Sequence, residues 1–183
     1  MTAFAETAPY RAAFDAQRRA GEPSWLADSR RAALARFEAL GFPTRRSEDW
    51  RFTNLGPLRR ANFAPAAQDA AASPDLARWL YPEKTHRLVL IDGRLVPALC
   101  DIGVLPRGVY LAGTEATLGQ RPDLAKALLD ETDRLGGQAF ASLNAALFAD
   151  GFVLALDPGV VLERIEIDLD GAPKHYGAPF NAF

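Results

Sequence analysis

The chain has 183 residues, 49% of them hydrophobic, and a formal net charge of −2. That length allows one large domain or two small ones around a substantial core, and the charge argues against a bulk nucleic-acid binder. The single cysteine, Cys100, excludes an internal disulfide and fits a reducing cytosol. The charge is uneven: residues 1–63 carry 11 arginines against 7 acidic residues, a net of +4, which leaves −6 for the remainder. A basic head on an acidic body suggests docking surfaces more than a DNA footprint. Glu6 and the lack of an apolar leader argue against a signal peptide. No apolar run nears the roughly 20 residues that span a bilayer. The expectation is a soluble, cytoplasmic protein with neither membrane nor nucleic acid as partner.

Residues 8–20 read as a first helix, with Thr7 as cap, Pro9 in the first turn and Gly21 after its end. Tyr10, Ala13, Phe14 and Gln17 share one narrow face. Ser24 is placed to cap a second helix over 25–40. Its expected buried face is Leu26, Ala33, Leu34, Phe37 and Leu40, with Arg30, Arg31 and Arg36 on the wetter side. The two would form a helical hairpin joined at Gly21-Glu22-Pro23.

Gly41 supplies the positive φ that ends a helix, and Pro43 prevents its resumption. Five charges then bracket a tryptophan in Arg45-Arg46-Ser47-Glu48-Asp49-Trp50-Arg51-Phe52-Thr53. Alternation in an extended segment would point Trp50 and Phe52 inward and leave the charges to water or to one another. Residues 54–60 suggest a short helix interrupted by Gly56-Pro57, and 61–73 an alanine-rich linker. A brief helix over 75–80 follows Ser73-Pro74.

The texture then changes. Residues 86–91 read as a strand, Asp92-Gly93 is the strongest hairpin signal, and 94–96 returns. A strand is expected at 108–111, and helices at 122–129 and 138–149. Phe140, Leu143, Ala146 and Leu147 share a face of the last. Residues 152–156, 160–162 and 164–169 read as strands, with Asp157-Pro158-Gly159 as a corner. Short strands between tight corners suit the start of a coiled sheet.

Gly41-Phe42-Pro43-Thr44-Arg45-Arg46-Ser47-Glu48-Asp49-Trp50-Arg51-Phe52-Thr53 resembles the signature near the N-terminus of the SufB/SufD family, on its SufD side. These are scaffold subunits of the SUF iron–sulfur cluster assembly machinery. Pro43, Arg45, Arg46, Glu48, Asp49, Trp50, Arg51 and Thr53 carry the match. Residues 140–151 resemble the family's approach to its β-helix, 153–163 its first rungs, and 89–97 its Asp-Gly hairpin. The resemblance covers roughly 8–170 and departs at 171–183. It implies an α+β chain in four parts: a helical region with the signature at 1–60, a linker at 61–85, a mixed region at 86–150, and the truncated start of a right-handed parallel β-helix with a divergent tail at 151–183. It further implies SufB and SufC as partners, although the regions that bind them are mostly missing. The chain thus reads as a fragment, a natural truncation or a frameshift product.

The chemistry is sparse. Cys100, His86 and His175 are too few for a zinc or iron–sulfur site within one chain. No cofactor is expected on this chain alone, and a cluster only at the level of the assembled complex. Cys100 reads as a small buried hydrophobe and His86 as a surface residue. Ser47 and Ser142 lack the surroundings of an activated nucleophile. Asn144 is placed to bond the backbone of the adjoining strand. Trp25, Trp50 and Trp79 read as core anchors. The leading function is a non-catalytic scaffold component. A free-standing protein- or RNA-binding module on the arginine-rich head is the alternative, and a small hydrolase using His86 or His175 is a weaker third.

Overall fold

A computed structural model describes residues 3–17, 21–61, 86–134 and 138–170. The linker expected at 61–85 lies outside them but for Ala61. The helix at 75–80, Trp79, His175 and the tail at 171–183 lie wholly outside. Contacts divide the chain into two units. One holds α1 (Ala3–Ala16), α2 (Ser24–Leu40), α3 (Gly56–Arg60) and α6 (Ala139–Leu147). The other holds α4 (Thr114–Gln120) and the five strands, and α5 (Pro122–Arg134) is divided between the two.

In the first unit, α1 starts earlier than the capping signals suggest. Thr7 is buried inside the helix and Pro9 lies in its interior. Proline removes one amide donor but its fixed φ is helical, and the face carrying Tyr10, Ala13, Phe14 and Gln17 is half-buried as expected. Ser24 is the first residue of α2 rather than its cap, with Pro23 in the capping position. Gly41 ends α2 at φ 64°, its amide donating to the Phe37 carbonyl at 2.7 Å.

The core joins Ala33, Leu34, Phe37 and Phe42 to Ala139, Leu143, Ala146 and Leu147. Two side chains of α2 depart from the expected pattern. Leu40 is half in water, because α2 ends there. Arg30 is buried, because it follows Leu26 by four residues and precedes Ala33 and Leu34 by three and four. Its Nε donates to Glu22 at 2.6 Å and its Nη1 to the Ala146 carbonyl at 3.4 Å. The guanidinium thus satisfies an acceptor in the last turn of α6, where the helix dipole favours a cation.

In the second unit, β1 (His86–Ile91) pairs antiparallel with β2 (Arg94–Leu95) and parallel with β5 (Ile165–Asp170). Asp92 and Gly93 both have positive φ, 51° and 76°, as a two-residue hairpin turn requires. β3 (Val109–Gly113) pairs antiparallel with β4 (Phe152–Leu156). The strand expected at 160–162 is irregular chain after the turn at Pro158-Gly159. α4 had no sequence expectation. Leu88, Leu90 and Leu111 form the core, packed by Leu95, Ile102, Phe152, Leu154 and Ile165. Gly113 lies under the Leu95 side chain, where a Cβ would sit 2.8 Å from Leu95 Cδ2 and oblige that methyl to shift. Asp150 joins the strands: its carboxylate accepts from the Leu95 amide at 2.9 Å and the Gly151 amide at 2.7 Å.

Two further ion pairs fasten α1. Arg11 binds Glu38 of α2, and Arg59 of α3 binds Glu6, with Arg59 Nε 3.0 Å from Glu6 Oε2. The hydrogen bonds from Arg59 and Arg11 hold the Glu6 and Glu38 carboxyls below their ordinary value of 4.5. Each pair therefore contributes fully above that value, and its contribution is lost as pH falls through the depressed pKa. The thermal midpoint should stay level from pH 7 to about 5 and decline below that. Glu6→Gln/Glu38→Gln should start lower at neutral pH and decline less steeply. Identical acid limbs in the two proteins would show that the pairs add no stability.

Arg30→Ala should be far more damaging than Arg31→Ala. The first strands the Glu22 carboxylate and an α6 carbonyl in a buried site, a loss of about 3–5 kcal/mol. The second removes only the exposed pair with Asp28, a change of about 0–1 kcal/mol. Urea unfolding midpoints compare them, and equal midpoints would contradict the clamp.

Candidate functional site

The signature leaves α2 at Gly41, and its first aromatic is the anchor. Phe42 is 6% exposed and lies edge-on to Tyr10, Phe37 and Phe140 at centroid separations of 5.6, 5.3 and 5.8 Å. Tyr10 also meets Phe37 edge-on at 5.6 Å, and burial pushes its hydroxyl pKa up. Trp50 touches the same cluster at its margin, 5.0 Å from the Phe140 ring, and is half-buried. Edge-to-face rings add to what their buried area contributes.

Beyond Phe42 the chain is not extended. Glu48–Trp50 is a single 3₁₀ turn within a run of consecutive turns. The Ser47 amide donates to the Thr44 carbonyl at 2.9 Å, Trp50 to Ser47 at 3.0 Å, and Thr53 to Trp50 at 3.0 Å. Side chains close the gaps: Ser47 Oγ accepts from the Thr44 amide at 3.3 Å, and Thr44 Oγ1 from the Arg46 amide at 3.2 Å. Turns abolish the two-residue alternation on which the inward placement of Phe52 rested. Phe52 is 87% exposed, covered only by the Arg51 guanidinium 4.6 Å from its ring centre. Asn54 then accepts from the Gly56 amide at 3.0 Å, and Pro57 stands near the start of α3 rather than interrupting it.

Pro43 is half-buried, while Arg45, Arg46, Glu48, Asp49, Arg51 and Thr53 are exposed. Arg51 pairs with Glu48 at 2.9 Å across one turn. Eight signature residues therefore share one loop, but only Pro43 and Trp50 have part of their surface against the body. What the arrangement can do chemically is bind: it presents guanidinium groups, carboxylates and an aromatic ring, without a paired acid and base. Phe42 and Phe140, which seat the loop, and Arg30, which ties α2 to α6, are not singled out together by the sequence. The spacing 26-30-33-34-37 places Arg30 on the buried stripe, and Phe42 stands where a turn residue was read.

The reactive side chains of the second unit are occupied structurally. Cys100 is half-buried, not fully so. Its sulfur accepts from the Val89 amide at 3.3 Å and donates to the Val96 carbonyl at 3.3 Å. His86 is also half-buried, with Nδ1 bonded to the Ile102 carbonyl. Among the described residues, no group of three or more His, Cys, Asp or Glu side chains is arranged to hold a metal ion. Nor is any described helix long and apolar enough to cross a membrane. Ser142 Oγ and Asn144 Oδ1 of α6 are buried and have no hydrogen-bond partner among the described residues, so the bond expected of Asn144 to a strand is not made there by that oxygen.

Comparison with known proteins follows this framework. Residues 8–167, from α1 into β5, match the model of the SufBD protein N-terminal region. A protein of Synechocystis sp. described as an iron–sulfur cluster assembly SufBD family protein is 32% identical over 137 residues. The match takes in 73% of this chain and 29% of that relative, so the chain spans less than a third of its length.

The anchoring order can be tested by truncation. Phe42→Ala should cost about 3–5 kcal/mol, as for a buried ring in a packed core. Trp50→Ala should cost less, about 1–2 kcal/mol, since part of its ring is already wet. Phe52→Ala should leave stability within about 0.5 kcal/mol. Denaturant midpoints rank the three, and a Trp50 loss equal to that of Phe42 would restore Trp50 as the anchor.

Proposed function

The chain belongs to the SufBD family through its N-terminal region, and from that membership we propose that it serves as a non-catalytic scaffold component of SUF iron–sulfur cluster assembly, of the SufD type. The match over residues 8–167 is the observation that carries this reading. The basic and acidic pairs around Trp50 favour the SufD type. The partners proposed are SufB and SufC, in the cytoplasm, and a cluster is bound only by the assembled complex. Cys100 supports that division of labour, because its thiol is engaged by the backbone of its own unit.

The proposed architecture continues from β4 and β5 into a right-handed parallel β-helix. The parallel register of β5 on β1, from His86↔Ile165 to Ile91↔Asp170, supports it, being the pairing that stacked rungs use. The chain is proposed to divide into a signature-bearing head at 1–60, a linker at 61–85, a mixed region at 86–150 and the β-helix start at 151–183.

Co-expression with SufB and SufC tests the function. The chain should elute with at least one of them on gel filtration, and its elution alone would contradict the scaffold role. Anaerobic reconstitution of the isolated chain with iron and sulfide should give no stoichiometric cluster, since stable ligation usually takes about four protein ligands. A cluster on the monomer whose visible absorption is lost in Cys100→Ser would overturn the assignment.

A further inference from the structure

The signature loop carries charges that its own chain does not use. Arg45, Arg46 and Asp49 are exposed and form no ion pair among the described residues, although they lie within five positions of one another. Arg51 and Glu48 pair only with each other, at 53% and 82% side-chain exposure. Phe52 leaves most of its ring in water. The backbone bonds from Thr44 to Thr53 and the Ser47 and Thr44 side-chain bonds hold this pattern in one conformation. Less backbone entropy is therefore left to lose when something docks, and the arginine and carboxylate side chains carry the rest of the ordering cost.

We propose that this loop is a two-fold self-association surface, and that its occupant is the same loop of a second copy of the chain. A two-fold interface requires a patch complementary to itself. A loop that reads Arg45-Arg46, then Glu48-Asp49, meets that requirement when two copies run in opposite directions. The basic pair of each then faces the acidic pair of the other. Phe52, under the Arg51 guanidinium, adds exposed apolar area at the edge of the same patch. Partners of a single sign fit less well. A nucleic-acid backbone or a purely acidic segment that reached Arg45 and Arg46 would meet the Glu48 and Asp49 carboxylates beside them. The contact is small for a stable interface, which needs about 1,000 Å², so the association is weak and salt-sensitive.

The test is sedimentation velocity of the full chain at rising concentration, in low salt and in about 0.5 M salt, where screening is strong. The wild type should move from monomer toward dimer at low salt and return to monomer at high salt. Arg45→Glu/Arg46→Glu and Glu48→Arg/Asp49→Arg should each weaken the dimer at least about tenfold, since each brings like charges together. An equimolar mixture of the two reversed variants should recover it. Phe52→Ser, which leaves the charges in place, should weaken the dimer with less change in its salt dependence. A monomer at every concentration would overturn the proposal, as would association indifferent to both reversals or a mixture that fails to recover. Binding of a fluorescent oligouridylate that depends on Arg45 and Arg46, in a chain that stays monomeric, would assign the loop to nucleic acid instead.

Discussion

The packing of α2 on α6 is the contact on which the first unit depends. Arg30 and the Ala146 carbonyl are 116 residues apart in sequence, yet α6 supplies four of the eight core residues and α2 three, with Phe42 just past its end. The loop-closing entropy of so distant a contact grows only slowly with length. It is opposed by eight buried residues, the ring cluster and a guanidinium seated at the end of α6. α6 is also the element that leads to Asp150 and β4. A head made of α1 and α2 alone would leave Phe37 and Phe42 with Tyr10 but without the α6 residues that complete their cover.

The signature loop depends on that core in turn. Phe42 and the edge of Trp50 hold it, Pro43 and Ser47 are half-buried, and the charged residues are exposed. The division is physical: rings at the root bury apolar area, and arginines and carboxylates at the tip keep their hydration. Glu6, Glu38, Arg11 and Arg59 brace the helices beneath it from three different elements. The reactive side chains, Cys100 and His86, sit in the other unit, where each bonds backbone groups of that unit.

Local signals carried much of this fold into the sequence. Hydrophobic spacing placed α2 to within one residue, and the Asp92-Gly93 turn placed the β1–β2 hairpin, because both rest on interactions between near neighbours. The family resemblance was legible for the same reason, being a run of adjacent residues. What escaped depends on distant chain. The burial of Arg30 needs Glu22 and Ala146, and only the stripe it sits on hinted at it. The inward placement of Phe52 assumed alternation, which the consecutive turns after Thr44 remove. Phe42 was read for the glycine and proline beside it, although Tyr10 and Phe140, from two other helices, make it the centre of the cluster. The pairing of β5 with β1 skips over β3 and β4, and no local pattern reports such a jump.

Amide hydrogen exchange, read along the chain under native conditions, tests the central claim that α2 and α6 form one structural unit. Amides in Ser24–Leu40 and Ala139–Leu147 should share a common opening free energy and be among the slowest in the first unit, because neither helix has a core without the other. The turn amides of residues 47–53 should exchange faster, being held by the root of the loop alone. Fast, independent exchange across Ala139–Leu147 beside a protected α2 would contradict the account. The head would then be a helical hairpin that stands by itself, and α6 only an appendage to it.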